Sequence, residues 1–187
     1  MIFGKGKIDW MIGEWEKNPA REFQTRRVKK EDEELGKGEY ESRGMFGPFV
    51  MIQTHFTPCV RTARGRIKYR VGRDYAVRPG RTAKGIPGLR QVITDIREQQ
   101  LQDISEKDCL AEGICEYPDA EGFPWGWPWA GWKEGHWLYQ TPQAAYYAMW
   151  NGVNGKNKRL GADQNPVVFA YTFRLKALGL EHEEIPR

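Results

Sequence analysis

The stretch LRQVITDIREQQLQDISEKDCLAEGI, residues 89–114, decides the fold. Its first half, Leu89–Leu101, alternates Val92, Thr94, Ile96 and Glu98 against Ile93, Asp95 and Arg97. A period of two predicts a long strand with one apolar-leaning face. The second half begins a helix at Ser105, a residue type that caps helix N-termini, with Asp108 three positions on. Ile104 is placed to staple against Cys109, and Gly113 is the residue at which the helix ends.

Working toward the N-terminus, RPGRTAKGIPG (78–88) is a basic loop rich in turn residues. IKYRV (67–71) and DYAV (74–77) read as strands separated by Gly72-Arg73, and VMIQTHF (50–56) reads as a strand by its β-branched and aromatic content. The acidic, glycine-punctuated stretch 31–48 reads as a loop, and EFQTRRVK (22–29) as a strand. Ile8, Met11, Ile12 and Trp15 recur at helical spacing, so a helix over 7–17 is expected, ended by Asn18-Pro19. Toward the C-terminus, Thr141-Pro142 starts a second long helix, with Ala145, Met149, Trp150 and Val153 as its expected buried stripe. NPVVFAYTFRLK (165–176) is a final strand. Several strands with few helices predict an α+β domain built on a small mixed barrel rather than a βαβ sheet.

Length fits one domain: 187 residues, with no repeat and no low-complexity linker. No apolar run is long enough to span a membrane, and the charged N-terminus lacks the apolar centre of a signal peptide. The three cysteines (Cys59, Cys109, Cys115) form no CxxC pair, so neither a zinc ribbon nor a disulfide framework is indicated, and a reducing cytoplasmic setting is expected. His55, His136 and His182 are isolated, so no metal site is expected and no cofactor is implied.

The net charge is only +4, but ten basic residues and a single acid, Asp74, fall between Arg61 and Arg90. Acids gather elsewhere, in 31–41, 103–121 and 181–184. Such asymmetry suits a polyanionic partner, and equally a set of solvated faces and loops.

Three blocks in order resemble the ASCH family of PUA-like domains, as found in bacterial and phage proteins. They are QTRRV (24–28), then VGRDYAVRPGR (71–81) with ITDIREQQLQDISEKDCLAEGI (93–114), then AMWNGVNGK (148–156) with NPVVFAYTFRL (165–175). The resemblance implies one domain over 1–187 whose core is about 22–114 and 141–176, with a tryptophan-rich insertion at about 117–140 and a short C-terminal tail. It implies a β-barrel with a cleft for RNA or a modified nucleobase, approached by Thr25, the arginines after it and Glu112.

One branch of that family hydrolyses an acylated cytidine with a lysine, a threonine three residues later and a glutamate ending a short helix. Thr25 and Glu112 match the threonine and the glutamate as catalytic candidates, but Glu22 stands at the lysine position. A carboxylate there cannot stabilise an oxyanion. Arg21, Arg26 or Arg27 could replace the charge, yet arginine is a poor proton shuttle. The departure favours binding over hydrolase or ribonuclease chemistry. Taken alone, Thr25 reads as an ordinary strand threonine, and Glu112 as a helix-end residue paired with a nearby arginine.

The remaining binding candidates are Arg26 and Arg27, the loop cations Arg78, Arg81 and Lys84, and the indoles of Trp125, Trp127 and Trp129. Loop cations can hold phosphates. The GRTAKG segment lacks the GxxxxGK[ST] spacing, which excludes a phosphate loop of the triphosphate-binding kind. Trp125, Trp127, Trp129, Trp132 and Trp137 crowd together with Phe123, Pro124, Pro128 and His136. Two roles are open for them besides a folded-back lid: stacking on unpaired bases, or contact with a protein partner.

Overall fold

The computed structural model describes residues 5–46, 49–78, 83–118, 122, 124–126, 138–154 and 156–178; for residues 5, 40–46 and 49–53 the backbone alone is described. The chain is α+β, and its sheets are antiparallel throughout the described residues.

Helix α1 (Lys5–Lys17) precedes β1 (Phe23–Val28). Then come β2 (Glu33–Phe46), β3 (Phe49–Thr62), β4 (Ile67–Arg70), β5 (Asp74–Ala76) and β6 (Leu89–Gln100). Helix α2 (Glu106–Glu112) leads to the short pair β7 (Cys115–Glu116) and β8 (Trp125–Gly126). Helix α3 (Pro142–Asn154) and β9 (Val167–Ala177) complete the order. The strands divide into a four-stranded sheet β1-β9-β6-β5, a three-stranded sheet β2-β3-β4 and the pair β7-β8. The expectation of a small mixed barrel is therefore met only in its coarse form, as a β-rich α+β domain.

The two larger sheets share one core. Phe23, Ile93, Ile96, Phe169, Tyr171 and Phe173 of the four-stranded sheet meet Val60 of β3, with Ile8 and Met11 of α1 closing one side. A second core lies beneath the helices: Ile104, Cys109, Ala145, Tyr146 and Trp150 pack with Val168. β1 and β9 thus carry both cores, one on each face. This follows from alternation: Phe23, Phe169, Tyr171 and Phe173 point to the first core, Val28 and Val168 to the second.

Helix α2 forms as its sequence predicts. The Ser105 hydroxyl accepts from the Asp108 amide at 3.1 Å, and Gly113 closes the helix at φ +100°, a backbone shape that favours glycine. Helix α3 is capped by Thr141, whose hydroxyl accepts from the Ala144 amide at 3.1 Å. Its stripe needs correcting. Tyr146 takes the deep position, while Val153 is 76% exposed, because the last turn of α3 runs past the core.

Two strand readings also change. Residues 31–48 were expected as a loop, yet Glu33–Phe46 pairs residue for residue with β3. Glycines and acids disfavour strands intrinsically, but pairing overrides propensity, and β2 lies at a sheet edge where charge is tolerated. In β6 the alternation breaks. Ile93 pairs with Phe173 and Asp95 with Thr172, leaving Thr94 as an extra residue in a bulge. Ile93 and Ile96, expected on opposite faces, are consequently buried in the same core.

Candidate functional site

Alternation along β1 sorts the first predicted block. Gln24, Arg26 and Val28 face α2 and α3; Phe23, Thr25 and Arg27 face the sheets' shared core. Arg26, expected to contact a ligand, is not placed to do so. Its side chain is fully buried, with Nη2 donating to Asp108 Oδ2 at 2.9 Å and Nη1 to Glu112 Oε1 at 3.2 Å. The Arg26 guanidinium also lies 5.7 Å from the Tyr146 ring centroid.

The network extends in both directions. Gln24 Nε2 donates to Asp108 Oδ1 at 2.7 Å, and Arg97 Nη2 reaches the same oxygen at 3.3 Å. Lys7 of α1 donates to Glu112 Oε2 at 2.7 Å and to the Gln24 carbonyl at 3.3 Å. Burial works to raise the Asp108 carboxyl, but Arg26, Gln24 and Arg97 outweigh it and hold the group below its ordinary value. Burial pushes the neighbouring Cys109 thiol up to about 12 and the Tyr146 phenol well above its usual range.

This arrangement bears directly on the catalytic candidates. Both Glu112 oxygens accept from cations, Arg26 on one and Lys7 on the other. Glu112 is thus the arginine-paired helix-end residue of the plainer reading, with a lysine added. Thr25 sits on the opposite face of β1, and no hydrogen bond joins it to Glu112 among the described residues. The lysine that meets Glu112 is Lys7, brought from another element. Glu22 itself is exposed and pairs with Arg174 at 3.0 Å.

On the other face of β1 a second constellation forms. Arg27 donates to the Tyr69 hydroxyl, and its guanidinium lies 5.1 Å from that ring's centroid. Tyr69 packs on Tyr75 at 5.5 Å and on Tyr171 at 5.0 Å between centroids. Arg73 covers the Tyr75 ring at 5.8 Å. The result is a row, Arg27–Tyr69–Tyr75–Arg73, drawn from β1, β4, β5 and the turn at Gly72. That glycine, at φ +80°, carries the chain from one sheet to the other. Burial raises the Tyr75 phenol, whose oxygen accepts from the Arg70 amide at 2.9 Å.

Around this row the basic stretch is largely accessible. Arg64, Arg66, Arg73, Arg78 and Lys84 are exposed. Lys68 pairs with Glu33, and Arg90 with Asp74 at 3.3 Å. Arg81, Trp127 and Trp129 lie outside the described residues, as do Trp132, His136 and Trp137. Trp125 is partly buried against the second core and exchanges backbone hydrogen bonds with Tyr139 at 3.0 and 2.8 Å. That placement suits a packed role for this one indole.

Sequence reasoning passed over Lys7, Gln24, Asp108, Tyr69 and Tyr75. Asp108 entered only as the residue three positions after the cap at Ser105. The two tyrosines stood in predicted strands, and their neighbouring arginines were a usable signal. Nothing local marks Lys7, whose partner is 105 positions away. No known family model, curated protein or solved structure matches this chain. The class that fold and site define is therefore an antiparallel, β-rich α+β domain with a buried ion network and an arginine–tyrosine row.

Proposed function

We propose that this chain is a PUA-like domain of ASCH type that binds RNA or a modified nucleobase without turning it over, in the cytoplasm. The observation that carries the reading is the Arg27–Tyr69–Tyr75–Arg73 row, set beside exposed cations of the 61–90 stretch. Aromatic rings and guanidinium planes stack on unpaired bases, and surrounding cations neutralise phosphates. Binding is favoured over catalysis because Glu112 is engaged by two cations and Thr25 lies across the strand from it.

The test is the affinity for single-stranded RNA as a function of salt. Neutralising three or four phosphates gives a log–log slope of about −2 to −3. A slope near zero removes the phosphate contacts and with them this reading. Acylated cytidines incubated with the protein are expected to remain intact.

A further inference from the structure

Gln91 is the anomaly of the first core. It is 0% exposed, and among the described residues neither its amide nitrogen nor its amide oxygen has a hydrogen-bond partner. Folded proteins rarely leave a buried donor and acceptor both unmet on one side chain. Within the core a methionine of similar length would fit without that penalty. The carboxamide calls for a functional explanation.

Its position supplies one. Leu89, Gln91 and Ile93 are the buried alternating positions of β6 before the bulge, and Leu89 and Ile93 line the core between the sheets. Gln91 stands directly opposite Tyr75 across the β5–β6 pair and opposite Leu175 on β9. Directly opposed residues on antiparallel strands share a face at about 5 Å between Cβ atoms. The amide therefore lies next to Tyr75, the ring that Arg73 covers from outside. β5 is a three-residue edge strand, and short edge elements are the first to open locally.

We infer that Gln91 is a specificity-determining residue that reads the edge of a planar nucleobase admitted beneath Tyr75 when β5 opens. The inference rests on the nucleobase reading above and names its chemistry. A carboxamide offers a donor and an acceptor side by side, the pattern with which Gln and Asn engage an adenine edge bidentately. The ligand class is a nucleobase or nucleoside presenting an adjacent donor and acceptor, as the Watson–Crick edges of all four bases do, with adenine the base that Gln and Asn commonly engage in this way. Tyr75 and Tyr69 supply the stacking surface, and the base takes up the two hydrogen bonds that the free protein leaves unmade.

The experiment titrates the full chain with the four ribonucleosides, and with ribose 5-phosphate as a base-free control. Wild type is compared with Gln91→Met, and the Gln91 side-chain amide is followed by nitrogen-resolved NMR. At least one nucleoside is expected to bind and to shift that amide resonance. Gln91→Met is expected to lose about tenfold or more in nucleoside affinity, with a melting temperature equal to or above wild type. Equal nucleoside affinity in the variant overturns the inference. So does an unmoved Gln91 amide in the wild type, which keeps the test decisive should the variant fail to fold. Binding of ribose 5-phosphate as tight as that of any nucleoside, or no nucleoside binding at all, overturns it too. The salt slope with RNA is read separately. RNA bound through phosphates with Gln91→Met unaffected sinks this inference alone, whereas a flat slope sinks the broader reading.

Discussion

Lys7 and Glu112 form a buried ion pair at 2.7 Å across 105 positions of sequence, so the first helix, packed through Ile8 and Met11 into the core between the sheets, is tied to the end of α2 by charge. Removing Lys7 leaves the buried Glu112 carboxylate with Arg26 against one oxygen and nothing in the lysine's place on the other, a cost that removing both members need not carry. Lys7→Met is expected to destabilise the fold by about 3 kcal/mol, read as a shift in the urea midpoint. The double variant Lys7→Met/Glu112→Gln is expected to recover a substantial part of that loss. A double variant as unstable as the sum of the singles would show that the pair acts as two independent residues.

Acid sensitivity follows from Asp108. Its folded-state value lies below the ordinary 3.8, so its contribution to stability is present above that unfolded value. The contribution is lost as pH falls through the lower folded value. Urea midpoints measured from pH 6 down to pH 2 are expected to drop most steeply below about pH 4. Asp108→Asn is expected to be less stable at neutral pH and to have a flatter acid limb. An acid limb of the same slope in the variant would assign the effect to other carboxylates, such as Glu14 and Glu33, which are also held low by cations.

The two ends of α2 position Asp108 and Glu112, and each end rests on one residue. Ser105→Ala is expected to cost about 1 kcal/mol by leaving the Asp108 amide without its cap. Gly113→Ala is expected to cost about as much, because alanine resists a φ of +100°. Thermal melts of both variants decide the matter. An unchanged Gly113→Ala melt would mean that the helix can end in another way.

Neighbouring arginines on β1 should behave oppositely. Arg26 is buried between two carboxylates, and Arg27 stacks on Tyr69. Arg26→Ala is expected to unfold or severely destabilise the chain. Arg27→Ala is expected to fold and to weaken RNA binding, as is Tyr75→Leu, by about 1–3 kcal/mol for a lost base stack. Circular dichroism and filter binding on the same preparations separate the two effects. Full RNA affinity in both Arg27→Ala and Tyr75→Leu would remove the row from the interface.

The parts of the fold that could be read from sequence are those governed by neighbours in the chain. Ser105 and Gly113 bound α2, Thr141 starts α3, and Asn18-Pro19 ends α1, each through hydrogen bonds or steric limits reaching only a few residues. β2 escaped notice because its stability comes from β3, not from its own glycines and acids. The site was legible only in fragments. Glu112 and its arginine partner were both in view, but their convergence depends on a strand and a helix 86 positions apart. Arg26 and Arg27 look alike in sequence, and only the phase of β1 tells which one is buried. Gln91 gave no sign, since an alternating strand accepts glutamine on either face.

The bulge at Thr94 makes β6 a strand of two phases. Before it, Gln91 and Ile93 face the core between the sheets; after it, Ile96 does so, while Arg97 turns to Asp108. The bulge therefore absorbs one extra residue and keeps Ile96 in the same core as Ile93. Flattening the bulge while keeping residue 94 would send Arg97 into the apolar layer and Ile96 toward α2, whereas removing the residue would leave both where they are. The phase of β6 beyond this point therefore hangs on the bulge itself and not on the side chain that occupies it.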